Sequence, residues 1–152
     1  MTALSGVTDR KRDFIKSSAG EMVSPARVEG YLTMAPEIVQ AMVFGDRHPY
    51  LVAVLVPDPD FAAGVAGRTE TAADLPALAT HPGLIKAVGA AVARVNEALA
   101  PAERVRRFVI AGEPFTTANG QMTPTLKLRR HVIGVVYSAA LDSLYDGKGI
   151  AA

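Results

Sequence analysis

An α+β fold is what this sequence predicts: a small β-hairpin followed by a three-stranded mixed or antiparallel sheet packed with helices. Three observations predict it. Two runs rich in β-branched and apolar residues, Ile38–Phe44 and residues 50–56, are joined by Asp46-Arg47-His48-Pro49. A third strand candidate, Val105–Ile110, stands well downstream. Around them, apolar residues recur at helical spacing, most clearly as Leu84, Ile85, Val88, Val92, Val95 and Leu99.

The elements follow in order. Residues 1–8 read as a disordered or linker remnant. Asp9-Arg10-Lys11-Arg12-Asp13 is a compact charged cluster. Phe14-Ile15-Lys16 and Met22-Val23 are short extended pieces either side of Ser17-Ser18-Ala19-Gly20, a hairpin signature with Gly20 at the tip. Ser24 caps a helix that Pro25 opens, since a missing N–H and a fixed φ suit the first helical position. Val28, Tyr31 and Leu32 share one face of it, and Pro36 follows its end. The next two strands read as antiparallel neighbours, at least one of them apolar on both faces. Pro57 and Pro59 end the second, and a helix covers residues 60–65. Residues 66–82 form a polar, Ala-rich connection. Pro101 ends the long helix that follows.

Asn119-Gly120 marks a tight turn, because Asn-Gly accepts positive φ at low cost. Pro124 biases Thr123 towards an extended conformation. Thr125 is the expected N-cap of a last helix over residues 126–145. Leu128, Val132, Val135, Val136, Ala139 and Leu144 would be its buried stripe, with Gly147 and Gly149 at its end. Lys127 would then sit where a constrained loop meets a first helical turn and could hold a point charge in a repeatable position. The plain alternative is that Lys127, Arg129 and Arg130 are a solvated helix start.

With 152 residues, one domain is the default. A chain of this length can bury roughly 68–70% of its unfolded surface, and 49% apolar residues suffice for a core. The net charge of +1 creates no global field for nucleic acid or anionic lipid. Arg10, Lys11, Arg12, Lys16, Arg129 and Arg130 are balanced by acids, and the few aromatics fall mostly at core-like positions. Both facts argue against a nucleic-acid binder. The absence of cysteine excludes disulfides, thiolate–metal sites and Cys nucleophiles, and is compatible with a cytoplasmic protein. His48, His81 and His131 show no metal-ligand spacing. No signal-peptide arrangement is seen, and no apolar run approaches the ~20 residues that span a bilayer.

Thr123-Pro124-Thr125-Leu126-Lys127-Leu128-Arg129-Arg130 resembles the C-terminal lysine motif of the adenylate-forming enzymes, in the form typical of long-chain fatty acyl-CoA synthetases. Leu126, where many relatives have Gly, favours that branch. The run from Asp9 to Pro25 resembles the hinge and hairpin motif that opens the C-terminal domain of the same enzymes. The similarity continues through Ile38–Phe44, residues 49–58 and residues 106–113. It covers nearly the whole chain, with two motifs in the right order at the right ends.

The resemblance implies that residues 9–152 are the mobile C-terminal domain of an AMP-forming acyl-CoA synthetase, without the N-terminal nucleotide-binding domain. Such enzymes join a fatty acid to ATP, giving acyl-AMP and pyrophosphate, and then pass the acyl group to coenzyme A. By resemblance, Lys127 is the catalytic lysine of the first step, Arg10 contacts the nucleotide ribose and Arg12 is the hinge. Lys16, Ala19 and Gly20 belong to the hairpin that faces coenzyme A after rotation. Ala19 departs from the Gly often found there. ATP and Mg²⁺ would be bound mainly by the N-terminal domain, with coenzyme A as substrate. The isolated domain is expected to be inactive and its main partner is that N-terminal domain. Peripheral membrane contact of a full-length enzyme stays open. The alternative is a non-catalytic stand-alone module of this fold that binds a protein or acyl-carrier partner.

Overall fold

A computed structural model describes residues 14–18, 20–66, 82–125, 127–145 and 150–151. The chain opens with strands β1 (Ile15–Lys16) and β2 (Met22–Val23), then helix α1 (Pro25–Met34). Strands β3 (Ile38–Phe44) and β4 (Leu51–Pro57) follow, then helices α2 (Pro59–Ala66) and α3 (Pro82–Glu97). A 3₁₀ turn (Pro101–Glu103) leads to β5 (Val105–Ile110). Helices α4 (Arg130–Val136) and α5 (Ser138–Tyr145) and a two-residue strand β6 (Ile150–Ala151) complete the described chain.

β1 and β2 pair antiparallel, with Ile15 opposite Val23. The larger sheet has the order β3-β4-β5-β6. β3 runs antiparallel to β4, and β4 parallel to β5, so the three long strands form the expected mixed sheet. β6 adds a short antiparallel edge, placing Ile150 opposite Phe108. This strand was not expected from the sequence.

β4 is the centre, and every one of its residues is buried. Its side chains alternate between two cores, as strand geometry requires. Leu51, Ala53 and Leu55 join Val28 and Leu32 of α1 and Leu84, Val88 and Val92 of α3. Val52, Val54 and Val56 join Phe115, Ile133, Leu141 and Leu144 on the other face. Fully burying one such aliphatic side chain contributes about 1.5–3 kcal/mol, so β4 is the main hydrophobic anchor of both layers. Two register shifts adjust the flanking strands. One lies between Ile38 and Gln40 and leaves Val39 exposed; the other skips Arg106 on β5. The second lets Val105 and Phe108, three residues apart, enter the same core.

Most expected elements stand where the sequence put them. Ser24 caps α1, its Oγ accepting the Arg27 N–H at 3.4 Å, with Pro25 at the first helical position. The last helix is different. It does not run unbroken through residues 126–145 from a cap at Thr125. It starts at Arg130 and is divided at Tyr137. The expected stripe is also out of phase: Val135 and Val136 are 61% and 55% exposed, and Ala139 is exposed too. Leu144 is buried as expected, but its companions are Ile133 and Leu141. The row facing the sheet is Arg130, Ile133, Gly134 and Tyr137, at the i, i+3, i+4, i+7 positions of one helix face. Gly134 lies against Phe44, where a Cβ would stand 3.1 Å from Cε1. An arginine and a glycine do not register as apolar, so the helical period pointed to the neighbouring face. Residues 1–13, Ala19, residues 67–81, Gly147 and Gly149 lie outside the described residues.

Candidate functional site

Lys127 sits on a closed bend, not in the first turn of a helix. The bend is prepared by residues 114–121. Gly120 adopts φ +77° in the expected Asn-Gly turn, and its N–H reaches Thr117 O at 3.2 Å. Asn119 Oδ1 accepts the N–H groups of Thr116 and Gln121, each at 3.1 Å. The chain then doubles back. Met122 and Leu128 form an antiparallel bridge, and the Arg129 N–H donates to Gln121 O at 2.9 Å.

At the end of this small hairpin, Thr123 and Lys127 close a ring. The Thr123 N–H donates to Lys127 O at 2.8 Å, and the Lys127 N–H donates to Thr123 Oγ1 at 3.1 Å. Both backbone polar groups of Lys127 are therefore used, and its position along the chain is set by Thr123. The Thr125 hydroxyl shares a hydrogen bond with Thr123 Oγ1 at 3.0 Å instead of capping a helix. The Lys127 side chain is exposed, and among the described residues it has no ion-pair partner. A fixed backbone carrying an unpaired ammonium suits the charge of an incoming anionic ligand.

Two anchors outside the motif hold this bend, and the sequence reading missed both. Gln40, on β3, grips the backbone of Phe115 with both ends of its amide: Nε2 to Phe115 O at 3.0 Å, and the Phe115 N–H to Oε1 at 2.8 Å. Its signal in the sequence is that it is the one polar residue of Ile38–Phe44. Glu29, on α1, pairs with Arg130 at 2.9 Å, and the same carboxylate accepts the Val43 N–H at 2.8 Å. Arg130 in turn donates to Val43 O. No local pattern announces Glu29, because its partners lie 14 and 101 residues away.

The hairpin of residues 14–23 is mounted elsewhere. Ser17 closes it, its N–H donating to Glu21 O at 2.9 Å and its Oγ accepting the Glu21 N–H at 3.1 Å. Gly20 has φ +89° with open space around it, so its backbone angle, not crowding, is what favours glycine. Two-residue strands are marginal alone, and the β3–β4 turn supports them. The Arg47 N–H donates to Lys16 O at 2.8 Å, the Ser18 N–H to His48 O at 3.0 Å, and the Lys16 N–H to the Asp46 carboxylate at 3.2 Å. Behind this turn the His48 ring stacks on Tyr145 with centroids 3.6 Å apart. Burial, followed by the nearby Tyr50 and Asp142, pushes the Tyr145 hydroxyl pKa well up, which keeps it neutral.

Lys16 and Gly20 are exposed and share the hairpin, but the structure does not bring them to Lys127. The bend is tied to β3 through Gln40 and, by Arg130, through Val43, and the hairpin to the turn after Phe44. Among the described residues no hydrogen bond links the two. Arg10, Arg12 and Ala19 lie outside the described residues.

Residues 12–149 match the sequence model of the AMP-binding enzyme C-terminal domain, and the chain belongs to that family. It is similar to long-chain-fatty-acid–CoA ligase FadD15 of Mycobacterium tuberculosis, 37% identical over 142 residues, 92% of this chain. It spans 24% of that relative's length. Among solved structures it is similar to the adenylation domain of a carboxylate reductase from Mycobacterium chelonae. The TM-score is 0.76 with 26% identity, covering 90% of this chain and 20% of that one. It is also similar to the A domain of a carboxylic acid reductase from Segniliparus rugosus, solved in complex with AMP and a co-purified carboxylic acid. There the TM-score is 0.72 with 28% identity, covering 91% of this chain and 20% of that one.

Proposed function

We propose that this chain is the C-terminal domain of an AMP-forming long-chain fatty acid–CoA ligase and supplies the lysine of the adenylation step. The observation that carries the reading is Lys127: an exposed ammonium without a partner among the described residues, on a backbone closed by Thr123. Similarity to a fatty-acid–CoA ligase and to a carboxylic acid reductase domain solved with AMP and a carboxylic acid supports the substrate class.

In the first half-reaction a fatty-acid carboxylate oxygen attacks the α-phosphorus of ATP. The bond from that phosphorus to the bridging oxygen breaks, and pyrophosphate leaves. Negative charge gathers on the carboxylate and the α-phosphate, and Lys127 neutralises it and aligns the two reactants. In the second half-reaction the thiol of coenzyme A attacks the acyl carbonyl, losing its proton, and AMP leaves. Rotation about Arg12 withdraws Lys127 and presents the hairpin with Lys16, Ala19 and Gly20 to the thioester site. Arg10 contacts the ribose. Bend and hairpin are both mounted on the β3–β4 unit, so one rotation of the domain carries both, which supports an alternation of this kind.

ATP arrives with Mg²⁺. Among the described residues no group of three or more His, Cys, Asp or Glu side chains could hold a metal ion, so no step is assigned to a metal on them. Phosphates, adenine and acyl chain belong to a nucleotide-binding domain that acts with this one, and the domain alone is inactive. Among the described residues no helix is long and apolar enough to cross a membrane. The chain's similarity to a fatty-acid–CoA ligase supports a cytoplasmic enzyme, with peripheral membrane contact open to the full-length protein.

The test is Lys127→Ala in the complete ligase. Loss of one preorganised charge costs ~3–4 kcal/mol, or about 10²–10³ in adenylation rate. Thioester formation from preformed acyl-adenylate should persist. Undiminished pyrophosphate release by Lys127→Ala would overturn the reading.

A further inference from the structure

Resting on that reading, we propose that Gln40 and Glu29 are positioning residues for Lys127, forming a two-point mount on the α1–β3 unit for the two limbs of the lysine bend. The incoming limb is fixed where Gln40 holds both backbone groups of Phe115, 75 residues away in sequence. Phe115 itself is buried in the core beneath, so this point resists movement in two ways. The outgoing limb is fixed three residues after Lys127, where Arg130 meets Glu29 at 2.9 Å and also bonds Val43 O. Between these points the described residues of 116–129 bond chiefly to one another, through Asn119, Gly120, Gln121 and Thr123. The bend is thus a stiff unit on two bolts, and both bolts come from residues 29 and 40.

Neither residue belongs to the lysine bend itself. Each acts through the place it gives the Lys127 ammonium. An ångström of misplacement at a reacting centre can cost about 10²-fold, so a loosened mount should slow the step that uses Lys127 and spare the step that does not. General destabilisation of the fold would affect both steps alike.

The experiment compares Gln40→Met and Glu29→Gln with the unaltered complete ligase. Gln40→Met keeps side-chain length and loses both bonds to Phe115. Pyrophosphate release with ATP, Mg²⁺ and palmitate measures adenylation, and coenzyme A transfer from preformed palmitoyl-adenylate measures the second step. We expect adenylation to fall about 10-fold or more in each variant, within the scale set by misplacement, with the transfer rate unchanged. Introduced into Lys127→Ala, Gln40→Met should cause no further loss, because its effect runs through the absent ammonium. Equal decline of both half-reactions, or an additive loss in the double variant, would make these residues merely structural and overturn the proposal. Adenylation that survives Lys127→Ala alone would overturn the ligase reading first, and the mount with it.

Discussion

Thr116 and Asn119 each hold the other's backbone amide. The Thr116 N–H donates to Asn119 Oδ1 at 3.1 Å, and the Asn119 N–H donates to Thr116 Oγ1 at 3.2 Å. The Asn119 carboxamide also takes the Gln121 N–H at 3.1 Å and gives its own N–H to Pro114 O at 2.9 Å. One side chain therefore shapes the whole approach to the lysine bend.

Asn119→Ala removes three of these bonds. At about 0.5–1.5 kcal/mol each, reduced by water at a half-exposed site, the loss should be about 1–3 kcal/mol. Scanning calorimetry of the domain should show a fall in Tm of about 2–4 °C per kcal/mol for a chain near this size. Asn119→Asp keeps the acceptor and should recover most of the loss. An unchanged Tm for the alanine variant would remove Asn119 from this role.

Gly45→Ala tests the packing where the hairpin meets the sheet. A Cβ at Gly45 would stand 2.6 Å from Leu51 Cδ2 and 3.2 Å from both Leu51 Cα and Tyr50 O. Leu51 is only 2% exposed and cannot swing aside. Overpacking of this kind costs about 1–3 kcal/mol. The expected result is a lower urea midpoint with an unchanged m-value. Wild-type stability would mean that the turn yields freely.

Acid should weaken the tie between α3 and the start of β3. Arg94 hydrogen-bonds the Glu37 carboxylate at 2.7 Å, and that bond, aided by the Glu37 backbone N–H and the arginine's charge, outweighs burial and holds the pKa below the usual carboxylate range. The folded state therefore binds the proton less readily than the unfolded chain. The contribution is complete above the ordinary carboxylate range and disappears as pH falls through it and below. Arg94→Met should flatten that part of the stability–pH curve while leaving the neutral-pH slope alone. An identical acid slope in both proteins would sink the assignment.

The fold was legible where local chemistry and tertiary need agree. Ser24-Pro25 could hardly read otherwise than as a helix start, and Leu51–Pro57 carries too unbroken an apolar run to be anything but a central strand. β6 was not legible, because two residues become a strand only through their partners on β5. The site was half legible. Lys127 stood out by its motif and Asn119-Gly120 by its turn chemistry. The helix expected after Thr125 failed because the Thr123 hydroxyl and the Met122–Leu128 bridge hold this stretch in a different closed shape. Gln40 and Glu29 act on residues far along the chain, and no period or cap rule reaches that distance.

The pairing of Glu29 with Arg130 has a second consequence, for life in a crowded solution. β3 is the outer strand of its sheet, and Ile-Val-Gln-Ala-Met-Val-Phe is an uncharged seven-residue run without proline. Such an edge invites strand addition by another molecule and is a seed for fibrils. Here the Val43 N–H is taken by the carboxylate and the Val43 C=O by the guanidinium. A visiting strand would have to displace an ion pair to bond Val43. At Val43 the clamp thus occupies the two polar groups that an added strand would need.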